Sequence, residues 1–188
     1  MLNILLIKKL IKIDRKNMFR PHGFTLGELL IIISILTILS YIALPYFRDL
    51  MVSGEANHLK RNLTIHIQKA KTDAQLYHKN VMLCPSNDLI DCGKDWNKGF
   101  IGFVDTNKNR KRDHNEPLLF AVSLNLKYGH LHYSAFGATP YAIIFQGENG
   151  LPFAANGSFT YCSTSPDYHS KMRLSRMGNI RFEKISSC

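Results

Sequence analysis

The chain has 188 residues, 45% of them hydrophobic, with 24 Lys and Arg against 14 Asp and Glu and a formal net charge of +10. Half of that excess lies in residues 1–23, where Lys8, Lys9, Lys12, Arg15, Lys16 and Arg20 face a single acid, Asp14. The rest is only moderately basic, so the overall pI of about 9.5 overstates any nucleic-acid argument. Once an apolar segment is set aside, the length suffices for one domain with a real core and excludes two.

The first element is that apolar segment, the 21 residues Phe24 to Leu44. As a helix rising ~1.5 Å per residue it spans roughly 30 Å, one hydrocarbon core. The basic stretch before it places the N-terminus in the cytoplasm and the remainder outside. A secretory signal would have a shorter apolar core followed by small residues, whereas here Pro45-Tyr46-Phe47 follow, so no cleavage is expected on that side. The only charge in the segment is Glu28. Such a carboxylate costs ~2.5–3.5 kcal/mol to insert and calls for a partner. If the chain is cut between Gly23 and Phe24, the new amine lies one helical turn away, and the ammonium of a neighbouring copy can neutralise Glu28.

The string Gly23-Phe24-Thr25-Leu26-Gly27-Glu28-Leu29-Leu30 resembles the prepilin peptidase site of type IV pilins and type II secretion pseudopilins. The resemblance implies cleavage before Phe24, N-methylation of Phe24, and Glu28 as the residue that registers subunits during assembly. Pro45 stands where pilin helices commonly kink. Gly27 departs from the pattern, which has a bulkier apolar residue there. Met18 is a second candidate start, because Met18 to Gly23 alone makes a short basic leader.

After Pro45 the helix is expected to resume. Val52, Ala56, Leu59, Leu63, Ile67, Ala70, Ala74 and Tyr77 recur every three or four residues and form one apolar stripe. Lys60, Arg61, Lys69, Lys71 and Lys79 fall on the wet face, and Gly54 is a candidate second bend. From Asn80 the pattern changes to short β-branched and aromatic runs punctuated by Gly, Asn and Pro. These predict strands at Val81–Cys84, Gly99–Asp105, Leu118–Ser123, His130–Ser134, Tyr141–Gln146, Ser158–Cys162, Lys171–Leu174 and Asn179–Phe182, in an antiparallel sheet. No repeat and no low-complexity linker interrupts them.

Four cysteines, Cys84, Cys92, Cys162 and Cys188, in a domain outside the cytoplasm suggest two disulfides. Of the three connectivities we favour Cys84–Cys92, closing a short loop, and Cys162–Cys188, tying the C-terminus to the sheet. Zinc is not expected, since no Cys-x-x-Cys pair is present. Asp105, Asn107, Asn109, Asp113 and Glu116 fall at positions 1, 3, 5, 9 and 12 of a calcium-loop spacing. However, Arg110 occupies the sharp-turn position that wants glycine, and Lys108, Lys111 and Arg112 add positive charge. A turn held by Asx hydrogen bonds is therefore expected, with no metal and no cofactor. No nucleophile, zinc-protease or phosphate-loop motif is present, so the sequence supports no enzyme. His130 and His132 share a strand face and read as structural, and Trp96 and Tyr161 read as core.

The basic residues Lys171, Arg173, Arg176, Arg181 and Lys184 cluster near the C-terminus, opposed by Glu183. Such groups bind phosphate backbones without reading sequence. They also discourage pairing at a sheet edge.

Leu83-Cys84-Pro85-Ser86, the run Trp96 to Asp105, and Asp113 to Pro117 resemble the GspH/FimT family of minor pseudopilins and minor pilins. The resemblance implies an α+β, type IV pilin-like fold, a long N-terminal helix on an antiparallel β-domain. It divides the chain into a leader (1–23), a membrane and filament helix (24–50) and a periplasmic domain (51–188). It implies a single pass through the bacterial inner membrane and assembly into a pilus or pseudopilus, with prepilin peptidase and other pilins as partners. Some members bind double-stranded DNA in natural transformation through a C-terminal Gly-Arg-x-Arg motif. Here the matching string is Gly178-Asn179-Ile180-Arg181, with Asn179 in place of the first arginine. The DNA reading rests on Arg173, Arg176, Arg181 and Lys184.

Overall fold

The computed structural model describes residues 23–135, 141–153 and 157–188. The leader assigned to residues 1–23 lies outside them except for Gly23, as do both candidate starts. The first described element is a helix, α1 (Leu26–Tyr77), 52 residues long with Pro45 inside it. Neither Pro45 nor Gly54 breaks its helical assignment. The chain divides into two compact units after Tyr46.

In the first unit α1 starts with a capping box. The Thr25 main-chain N–H and hydroxyl donate to Glu28 Oε2 at 2.9 and 3.0 Å, and the Glu28 N–H donates to Thr25 Oγ1 at 3.3 Å. Every large apolar side chain from Phe24 to Leu44 is exposed. The hydroxyls of Ser34, Thr37 and Ser40 donate to the helix's own carbonyls at 2.7 Å, which leaves none of them to be solvated by an apolar surrounding. The helix is long and apolar enough to cross a membrane, with a mean hydropathy of 2.3 over its most apolar stretch.

The second unit, Phe47–Cys188, holds the core. Val52, Ala56, Leu59, Leu63, Ile67, Ala70 and Ala74 of α1 are buried, as the three- and four-residue spacing predicts. Tyr77 is not: it is 49% exposed. It ends the helix, and His78 turns the chain away at a φ of 51°. Asp73 is buried instead, its carboxylate held by Lys69 Nζ at 2.7 Å.

All eight expected strands are present: β1 (Asn80–Pro85), β2 (Gly99–Asp105), β3 (Leu118–Ser123), β4 (Gly129–Ser134), β5 (Ile143–Phe145), β6 (Gly157–Ser163), β7 (Ser170–Leu174) and β8 (Ile180–Lys184). The fifth is shorter than expected. Trp96 Nε1 takes the Tyr141 carbonyl at 3.1 Å, and Gln146 is drawn into a turn by the Gly150 N–H at 2.7 Å. The strands form two four-stranded antiparallel sheets, β3-β2-β1-β5 and β4-β6-β7-β8, rather than one.

The two sheets differ in burial. In the first, β1, β2 and β5 are covered on both faces, while β3 at the edge keeps Leu118, Ala121 and Ser123 exposed. Val81, Leu83, Phe100, Ile143 and Phe145 join the α1 stripe in the main core, while Met82, Cys84, Ile101, Phe103 and Ile144 form a second cluster under Leu89 and Cys92. The second sheet alternates strictly, buried and exposed, along β4. Trp96 joins the sheets, its ring 5.8 Å from Phe100 of the first and 5.6 and 4.7 Å from Tyr133 and Phe159 of the second. Cys84 bonds to Cys92 and Cys162 to Cys188, the pairing favoured from spacing. The first closes the loop that covers the second cluster.

Candidate functional site

Two regions carry the residues singled out by the sequence. The first is the start of α1. Gly23, Phe24 and Glu28 are all exposed, and Glu28 closes the capping box with Thr25. Thr25 was not among the expected site residues. Its signal was in the sequence, because Thr-x-x-Glu before an apolar run is the capping-box spacing.

The second region is the outward face of the β4-β6-β7-β8 sheet. Strand registers place Ser134, Ser158, Arg173 and Arg181 in one row, and His132, Thr160, Lys171 and Glu183 in the next. Directly opposed arginines repel. Arg173 relieves this by pairing diagonally with Glu183 at 3.0 Å, while Arg181 keeps its charge unpaired among the described residues. Lys171, Arg173, Asn179 and Arg181, with Ser158 and Ser175, line a shallow groove of about 410 Å³. The hydroxyls and the Asn179 amide add neutral hydrogen-bonding groups between the cations.

The expected basic cluster is thus partly assembled. Arg173 and Arg181 share the groove with Lys171. Lys184 is in register with Ser170, on the opposite face, and its Nζ lies 3.5 Å from Asp167 Oδ1. Arg176 is exposed in the turn after β7, outside the groove lining. His130 and His132 share the exposed face of β4, and Trp96 and Tyr161 are buried. Tyr161 has a further role: its hydroxyl donates to Glu55 Oε1 at 2.8 Å. Burial first, and then that bond, raise its pKa above the usual phenol range. Among the described residues no three His, Cys, Asp or Glu side chains are gathered to hold a metal ion.

Comparison with known proteins supplies four likenesses. The family model described as Type II transport protein GspH matches residues 61–178. The fimbrial protein EcpB of Eikenella corrodens is 32% identical over 109 residues, 58% of this chain and 63% of that protein, so the match spans less than two thirds of the relative's length. Among solved structures, the type IV minor pilin FimU of Pseudomonas aeruginosa aligns with 74% of this chain and 92% of its own, at 15% identity and a TM-score of 0.48. The minor pseudopilin EpsH of the Vibrio cholerae type 2 secretion system aligns with 69% and 97%, at 11% identity and a TM-score of 0.49.

Proposed function

The chain belongs to the GspH family, and from that premise we propose that it is a minor pilin or pseudopilin assembled into a filament through the first half of α1. Residues 1–23 are the leader removed by prepilin peptidase, 24–50 the membrane and filament helix, and 51–188 the periplasmic domain. The observation that carries this reading is the run of exposed apolar side chains from Phe24 to Leu44, interrupted by one carboxylate. In water such a surface is unfavourable by roughly 25 cal/mol per Å². Lipid covers it before assembly, and the helices of neighbouring subunits cover it afterwards. The reading assigns the chain no catalysis.

Glu28 has two separable roles in this scheme. It caps its own helix, and its charge meets the Phe24 ammonium of a neighbour once the bond after Gly23 is cut. Glu28→Gln keeps an acceptor for the capping box and removes the charge. The expected result is a protein that is cleaved and inserted in the membrane but absent from sheared filaments, with Glu28→Leu behaving likewise. Wild-type incorporation of Glu28→Gln would refute the assembly role and leave only the cap. An N-terminal mass that does not begin at Phe24 would refute the processing site.

A second reading is supported by the groove at Lys171, Arg173 and Arg181, three cations on one outward face. We propose it as a contact for double-stranded DNA. Three phosphate contacts would give a slope of about −2.7 in log affinity against log salt. Arg181→Ala should lower affinity and shallow that slope by about one unit. Lys184→Ala, on the other face, should change neither, and an equal loss from both variants would refute the groove as the contact.

A further inference from the structure

The loop between β2 and β3 starts at Asp105 and closes at Glu116, which are 1% and 4% exposed. Two objections to a cation site arise from its sequence, and the structure answers both. Arg110 stands at the glycine position but adopts the left-handed conformation that position needs, with a φ of 64°, and Lys108 does the same at 61°. The Arg110 main-chain N–H donates to Asp105 Oδ2 at 3.2 Å. Its guanidinium lies 6.0 Å over the Phe153 ring. Arg112 reaches the Ile90 carbonyl at 3.0 Å. Among the described residues none of Lys108, Arg110, Lys111 or Arg112 is ion-paired with Asp105, Asp113 or Glu116.

The side chains at the calcium-loop positions are tied to one another and to the loop's main chain. Asn107 Oδ1 accepts from the Asn109 N–H at 3.0 Å, and Asn109 Oδ1 from the Lys111 N–H at 2.8 Å, each leaving a second lone pair. Both asparagine amides converge on Asp113 Oδ2, at 2.7 and 2.8 Å. Glu116 clamps the two ends of the loop, its Oε1 taking the Thr106 N–H at 2.7 Å and its Oε2 the Asp113 N–H at 3.1 Å. One independent observation points to a missing positive partner: Asp105 Oδ1 is buried and has no hydrogen-bond donor among the described residues. A buried carboxylate oxygen is normally paired or bound to a cation.

We propose that this loop binds one Ca²⁺ through oxygens of Asp105, Asn107, Asn109, Asp113 and Glu116 and the main-chain carbonyl of Lys111. Hard oxygen donors in a flexible loop suit Ca²⁺, whereas Mg²⁺ demands a small, near-ideal octahedron. The carboxylates do not stand ready-made around an ion, so binding is coupled to closing the loop, and the affinity falls in the weak class of about 0.1–1 mM. Because Arg112 ties the loop to the Cys84–Cys92 loop through Ile90, the ion would brace one end of the first sheet.

The test uses the full chain in detergent, stripped with EDTA and dialysed, then titrated with CaCl₂ or MgCl₂ by calorimetry and followed by thermal melting. One saturable Ca²⁺ site is expected, with a melting temperature that rises with Ca²⁺ and not with equal Mg²⁺. Asn109→Ala, at an exposed position, and Asp113→Ala should weaken binding about tenfold or more while melting in EDTA stays near wild type. If Asp113→Ala melts early, Asn109→Ala carries the comparison. Arg110→Gly should tighten Ca²⁺ binding several-fold, which a turn without a cation would not do. No Ca²⁺ heat at about 10 mM, equal responses to both ions, or affinity indifferent to Asn109→Ala and Arg110→Gly would overturn the proposal.

Discussion

Replacing Glu55 by glutamine should loosen the second sheet from α1 without removing an apolar atom. Its Oε1 accepts from the Tyr161 hydroxyl at 2.8 Å and the Tyr128 N–H at 3.0 Å, and its Oε2 from the Lys127 N–H at 2.7 Å. These charge-assisted bonds tie a helical side chain to residues 127 and 128, which lead into β4, and to the middle of β6. Each is worth roughly 1.5–3 kcal/mol. Glutamine offers one acceptor oxygen and turns an N–H₂ toward the remaining donors, so a loss of about 2–4 kcal/mol is expected. At ~3 °C per kcal/mol that is a fall of about 6–12 °C in Tm. Urea unfolding of Glu55→Gln, Tyr161→Phe and the double variant measures the coupling, expected at about 1–2 kcal/mol. Because the Glu55 bond helps raise the Tyr161 pKa, the substitution should also lower it, seen as phenolate absorbance appearing at lower pH. Additive losses within about 0.5 kcal/mol, or a Glu55→Gln loss below that value, would refute the reasoning.

Cys188→Ser opens a bridge spanning 26 residues and should cost about 3.5 kcal/mol on the chain-entropy account, against about 2.5 kcal/mol for Cys92→Ser with its separation of 8, both read from denaturant midpoints. Equal losses would argue against loop length as the source. Asp88 accepts from the Asp91 and Ile90 N–H groups and the Ser86 hydroxyl, which lower its pKa to about 2. Its folded pKa lies below the unfolded value of 3.8, so its contribution is present above that pH and is lost as pH falls toward about 2. A carboxyl NMR titration with a midpoint near 4 would contradict these contacts.

Much of the fold was legible because its signals are local. Val52 to Ala74 bury one helical stripe whose spacing any amphipathic helix would show, and the bounds of β2 and β3 follow from Gly99 and Ser123 flanking branched and aromatic runs. Tyr77 fits the same period, yet periodicity does not say where the helix stops. The split into two sheets had no local signal. It depends on Ile143 finding Leu83 and on Trp96 filling the space between the sheets, both long-range events. The basic site was half legible. Arg181 and Lys184 are three apart on one strand, an odd separation that puts them on opposite faces, so parity alone separates them. That Arg173 and Arg181 face each other needs the β7–β8 register. The left-handed Arg110 was not legible at all, since nothing in an arginine's chemistry announces a positive φ.

The interleaving of the two sheets has a consequence for how the domain comes apart. The first three strands belong to one sheet, β4 to the other, β5 returns to the first, and β6 to β8 complete the second. Neither sheet is therefore a continuous stretch of chain, and neither can be finished until the other has been threaded past it. Loop closures of this kind slow the search for the native state. Each of β4 and β5 is an edge strand paired in one sheet only, so what couples the layers is the core they share, with Trp96 packed on Phe100 of the first sheet and Phe159 of the second. The most protected amides of β1 and β6 should then exchange with solvent through the same global opening, at one shared free energy.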